Sequence, residues 1–153
     1  MRIRMHSSVW GLVMLLCVAA TTARAELQVG AAAVDITPKV GTPMAGYYSL
    51  RAAEGVHDPL FAKVIVLDDG SQRAALVGLD LISTTPWMTD ETRRLVEERA
   101  GIPGEHVMLT ATHAHTGPIL SRSNRRYDVF GATNDLAVQY MERLPARIAE
   151  AVE

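Results

Sequence analysis

Glu105-His106-Val107-Met108-Leu109-Thr110-Ala111-Thr112-His113-Ala114-His115-Thr116-Gly117-Pro118 is the stretch that decides how this chain is read. It opens apolar at Val107, Met108 and Leu109, turns polar, and is stopped by Gly117 and Pro118. A short apolar run bounded by turn residues predicts a buried strand. Side chains two apart share a face in an extended chain, so His113 and His115 are expected side by side at the strand's carboxyl end. Neutral imidazole is a good zinc ligand, and two of them there make a candidate metal site. Thr110, Ala111, Thr112 and Thr116 flank the pair with small side chains that leave room for a ligand.

A bare His-x-His is a weak signal, because polar residues leaving a strand produce it by chance. Two common classes fail on context. The metallo-β-lactamase pattern continues with Asp-His, where this chain has Gly117-Pro118. Amidohydrolase barrels carry theirs on the first strand, and here several elements come earlier.

Upstream, Leu27 to Ile36 reads as a strand with apolar residues in both phases, which predicts burial on both faces. Lys39 to Gly55 is a loop holding Pro43-Met44-Ala45-Gly46-Tyr47-Tyr48, where Gly46 can bring backbone close to a ligand. Tyr47 and Tyr48 serve equally well as core cover. Phe61 to Leu67 and Arg73 to Leu81 read as strands joined by the hairpin signal Asp68-Asp69-Gly70-Ser71. Asp80, at the end of the second, suits either a carboxylate behind a metal ligand or a simple cap. Thr85-Pro86 opens a helix that Gly101 ends, and its charged residues form a solvated face. Beyond a polar loop from Ile119 to Ala132, Asn134 caps a last helix whose apolar side includes Leu136, Met141, Leu144 and Ile148. Pro145 is expected to kink it. The order predicts an α/β (or α+β) layered domain with a mixed β-sheet and flanking helices. No repeat, P-loop or dinucleotide fingerprint is present.

The first 25 of the 153 residues read as a signal peptide. Arg2 and Arg4 precede an apolar run from Val9 to Ala20, and Ala23-Arg24-Ala25 is a small-x-small cleavage site. The run is shorter than the ~20 residues needed to span a membrane. Export to a periplasm or the exterior is therefore expected, with residues 26–153 as the mature domain. Cleavage removes three arginines and the lone Cys17, leaving 12 basic and 17 acidic residues and no disulfide. An acidic chain whose densest basic run is Arg122-Ser123-Asn124-Arg125-Arg126 is a poor nucleic-acid binder. The sequence stops within the helical pattern at Ala149-Glu150-Ala151-Val152-Glu153, so residues 26–153 are expected to be an incomplete N-terminal portion of a larger domain.

Several stretches, in order and spacing, resemble the N-terminal part of the neutral/alkaline, non-lysosomal ceramidase family. They are Val29-Gly30-Ala31 to Asp35-Ile36-Thr37-Pro38, Met44-Ala45-Gly46-Tyr47, Phe61-Ala62-Lys63-Val64 with the Asp-Asp-Gly hairpin, Leu79-Asp80, and Thr112-His113-Ala114-His115-Thr116-Gly117-Pro118. The last is the most specific, and the resemblance runs from about residue 28 to 153.

The resemblance implies a zinc enzyme that hydrolyses the N-acyl amide of ceramide-like lipids to a sphingoid base and a fatty acid. It implies that His113 is a zinc ligand. It implies that His115 contacts the substrate or its developing oxyanion as a catalytic group, and that Gly46 lines the substrate pocket. A lipid substrate carries the further expectation of peripheral membrane contact. The family's other zinc ligands (a second histidine, a glutamate and a tyrosine) and its serine belong to later sequence and have no match here. His57 is an available third imidazole without a motif match. Two alternatives stand beside this reading: a non-catalytic lipid- or partner-binding domain, and a zinc hydrolase of another amide or ester.

Overall fold

The structure is a computed structural model that describes residues 26–120 and 125–153, with side chains omitted at 125–127. The expected signal peptide and the Arg122–Arg126 side chains lie outside the described residues. Four strands are present among them: β1 (Gln28–Asp35), β2 (Phe61–Asp68), β3 (Arg73–Leu79) and β4 (Val107–Ala111). They form one sheet in the order β1-β2-β3-β4. The first three run antiparallel and β4 runs parallel to β3. Helices α1 (Pro86–Ala100) and α2 (Asp135–Val152) complete the expected α/β fold with a mixed sheet.

Local chemistry explains the boundaries. The β2–β3 hairpin turns through Gly70 at φ +83°, and Asp69 Oδ1 accepts from the backbone of Ser71 and Gln72. Thr85 caps α1 through Met88 N at 3.3 Å, Pro86 occupies its first turn, and Gly101 closes it in the left-handed region. Asn134 Oδ1 accepts from Leu136 N at 2.9 Å to start α2, which continues through the buried Pro145 to Val152.

Both helices cover one face of the sheet. Ala62 and Val64 of β2, Ala75, Val77 and Leu79 of β3, and Val107 of β4 point to that side. They meet Met88 and Val96 of α1 and Met141, Leu144, Ile148 and Val152 of α2 in a single core. Each fully buried aliphatic side chain contributes about 1.5–3 kcal/mol. The opposite face is bare. Ala31, Ile65, Leu76 and Met108 stand in register across the four strands, and all are exposed.

This corrects the expectation of a strand buried on both faces at Leu27–Ile36. β1 is an edge strand that pairs with β2 alone among the described strands, and nearly all its residues are exposed. Its apolar residues are mostly alanines, whose small side chains leave an exposed face at little cost.

A parallel pair needs a crossover connection, and α1 supplies it between β3 and β4. The carboxyl ends of β3 and β4 therefore lie side by side, the usual place for a site in an open α/β sheet.

Candidate functional site

The site grows from these two strand ends. β4 stops at Ala111, but the backbone stays against the segment that follows β3. Thr112 N donates to Leu79 O at 3.0 Å and Ala114 N to Leu81 O at 3.1 Å. Between these bonds His113 takes φ +62° and is the lone non-glycine with positive φ among the described residues. That conformation costs a residue with a Cβ roughly 1–2 kcal/mol. Backbone strain of this kind gathers at functional sites.

The turn at His113 brings its Nδ1 to 2.9 Å from the carbonyl oxygen of Ile82. A carbonyl can only accept, so Nδ1 carries the proton and Nε2 keeps its lone pair. The ring is exposed, so that lone pair is open to a ligand. A histidine bound to a backbone carbonyl through one nitrogen is the usual arrangement of a metal-ligating imidazole.

His115 lies in the turn that follows, its ring centroid 5.1 Å from that of His113 with the planes at 71°. The expected proximity is present, but not for the expected reason. The strand has ended before either residue, so a turn through a left-handed His113, not strand alternation, brings the rings together.

A second segment closes over the pair. Ala45 N donates to Gly117 O at 3.0 Å and Ile119 N to Pro43 O at 2.9 Å, with Met44 bridged to Pro118. Gly117 backs onto Leu81, where an added Cβ would meet Leu81 Cδ2 at 3.2 Å and Asp80 O at 3.3 Å. Gly46, at φ +89°, then lies directly against the His115 ring. The Tyr47 and His115 rings lie in a T-shaped arrangement at 6.1 Å and 82°, and the Arg51 guanidinium stacks over Tyr47 at 4.3 Å. The fold thus joins all three predicted residues: His113, His115 and Gly46.

Other expectations separate. Tyr47 is half-buried against His115, whereas Tyr48 is fully exposed and covers no core. The Asp80 carboxylate is occupied by Phe61 N at 3.0 Å, so it caps a strand start and the Ile82 carbonyl takes its expected place behind His113. His57 lines a cavity of about 450 Å³ with Met44, Arg51, Leu60 and Thr116. It does not join the other imidazoles in a metal site, since no group of three potential ligands gathers among the described residues. Sequence reasoning missed the Ile82 carbonyl, which has no side-chain signal, and Arg51, whose spacing from Tyr47 was its one available cue.

The donor set fits zinc in part. His113 has the tautomer and exposure of a ligand, with His115 beside it. A catalytic zinc uses three protein ligands, and the described residues do not bring three together.

No family model matches the chain. Solved structures do, among them two ceramidases. A neutral ceramidase from Pseudomonas aeruginosa matches with a TM-score of 0.70 and 25% sequence identity, over 82% of this chain and 21% of that one. A ceramidase complexed with C2 matches with a TM-score of 0.63 and 25% identity, over 82% of this chain and 20% of that one. The chain spans about a fifth of the length of either. Its fold is ceramidase-like.

Proposed function

We propose that this chain contributes to a zinc-dependent amidohydrolase that cleaves the N-acyl amide of ceramide-like lipids into a sphingoid base and a fatty acid. The observation that carries this reading is the exposed His113 ring, held by its Nδ1–H on the Ile82 carbonyl so that Nε2 of the neutral ring is left for a ligand. The ceramidase-like fold supports the reaction class.

In this reading His113 is a zinc ligand, and the remaining ligands come from outside the described residues. Bound there, zinc supplies a Lewis acid. His115 donates a ring N–H to the amide oxygen, where negative charge develops as the carbonyl is attacked. Gly46 keeps that ring accessible, because any side chain there would occupy its place. Tyr47 packs its ring roughly perpendicular to that of His115. The reading includes export by a signal peptide at residues 1–25 and peripheral contact with the membrane that holds the substrate. No helix among the described residues is long and apolar enough to cross that membrane.

Zinc content tests the reading directly. A protein that carries this chain together with the remaining ligands is expected to hold near-stoichiometric zinc and to release fatty acid from an N-acylsphingosine, and His113→Ala in it to lose both. A folded His113→Ala variant that keeps its zinc and its hydrolysis would overturn the assignment.

A further inference from the structure

A second cavity, of about 240 Å³, opens between the end of β1 and α2, and none of the histidine-site residues lines it. Its floor is apolar. Ile36 and Leu144 are buried there, and the Tyr140 hydroxyl is occupied by Ile36 O at 2.7 Å. Its rim is cationic. Arg143 and Arg147 stand one turn apart on α2, with Lys39 from the segment after β1 lining the same cavity.

These cations are not equally engaged. Arg147 pairs with Glu150 and also reaches the backbone oxygen of Asp35 at 3.4 Å. Asp35, the carboxylate at the rim, accepts from Thr37 N at 2.7 Å. The side chains of Lys39 and Arg143 have no hydrogen bond or ion pair among the described residues. Among the other surface cations, Arg94 is answered by Glu91 and Glu98 and Arg99 by Glu153, while the Arg73 guanidinium has no ion pair among the described residues and lies away from this cavity. After residue 25 the chain holds 17 acidic residues against 12 basic ones. Two unanswered cations on one concavity therefore run against its composition. A concave site with low-dielectric walls focuses their field on whatever enters.

We propose that this cavity binds a phosphate group carried on a small apolar body. Lys39 supplies a point charge, Arg143 supplies a planar fork that matches phosphate oxygens, and the Gln139 amide adds a neutral donor. A dianion matches two free cations better than a carboxylate does. The floor of Ile36, Leu136 and Leu144 takes the carbon portion. Asp35 repels the anion from one side, which places the phosphate toward Lys39 and Arg143. The inference is independent of the hydrolase reading.

Calorimetric titration of the purified protein at low salt, with inorganic phosphate and with hexyl phosphate, tests it. Both are expected to bind, hexyl phosphate more tightly because of the apolar floor. Arg143→Gln and Lys39→Gln are each expected to weaken binding about tenfold, and Arg94→Gln to leave it unchanged. Both variants replace exposed side chains, so if either fails to fold the other carries the test. Cosedimentation with phosphatidylcholine vesicles containing phosphatidic acid separates the sources. Arg143-dependent cosedimentation identifies a lipid headgroup, and soluble binding without it identifies a free phosphomonoester. Absence of saturable binding, or equal affinity in both variants and the wild type, would overturn the proposal.

Discussion

A Cβ placed on Gly46 would stand 2.4 Å from Nδ1 of His115 and 2.5 Å from its Cγ. These are main-chain and ring positions in direct contact, so a side chain cannot be accommodated without displacing the ring. Gly46→Ala also places a Cβ at φ +89°, a strain of about 1–2 kcal/mol before the clash is counted. Amide hydrolysis is expected to fall about a hundredfold, since small misplacements of a reacting group have costs of that order. Zinc bound through His113 should remain. Parallel zinc and hydrolysis assays on Gly46→Ala check this, and an active variant would show that His115 need not lie on Gly46.

The left-handed backbone at His113 has its own signature. Asparagine and glycine tolerate φ +62°, whereas a β-branched residue does not. His113→Asn should therefore be more stable than His113→Val by about 1–2 kcal/mol, although neither should bind zinc. Urea denaturation of the two variants gives the comparison. Equal stabilities would mean that the turn relaxes.

Thr92 is buried in α1, and its hydroxyl has no hydrogen-bond partner among the described residues. Burying an unpaired hydroxyl is unfavourable. Thr92→Val keeps the shape and removes the polar atom. It should raise stability by up to about 1 kcal/mol, measured by urea denaturation, without changing hydrolysis.

Asp35 governs part of the acid response. Hydrogen bonds from Thr37 hold its carboxyl below the usual range, with Arg147 adding a smaller attraction. A depressed folded pKa stabilises the protein fully above the unfolded value of about 3.9. That contribution is lost as pH falls through the lower folded value. Asp35→Asn should thus flatten the stability profile below about pH 4 and leave its shape near neutrality unchanged. Denaturation midpoints across the acid range decide it. An unaltered acid limb would place the linkage on other carboxylates, with Asp69, also depressed by hydrogen bonds from Ser71 and Gln72, next in line.

Much of the fold was legible because local chemistry and tertiary packing agree. Thr85-Pro86 and Gly101 bracket α1, Asn134 opens α2, and Asp69-Gly70 turns the hairpin, each where its side chain or φ requires. β1 was misjudged because apolar residues in both phases do not distinguish a central strand from an alanine-rich edge. The site was half legible. Small residues around His113 and His115 marked the place, but the alternation rule gave the wrong geometry. The decisive features are a backbone angle and a carbonyl, and neither is written in side-chain type. Asp80 stayed between two readings because a carboxylate near a strand end serves a backbone N–H as readily as an imidazole, and the structure shows the cap.

The two halves of the candidate site are far apart along the chain. Pro43 to Ala45 meet Gly117 to Ile119 through two backbone hydrogen bonds that form an antiparallel bridge, and β4 joins β3 only after the α1 crossover. Contacts of such long sequence separation form late, after a hairpin such as β2–β3 that closes in microseconds. The histidines would therefore be assembled last, on a sheet already built. The same clasp would be the first to open, freeing the His115 ring from Gly46 while the core beneath stays intact. Hydrogen exchange at the amides of Ala45 and Ile119 would then run ahead of exchange at Val64 and Val77.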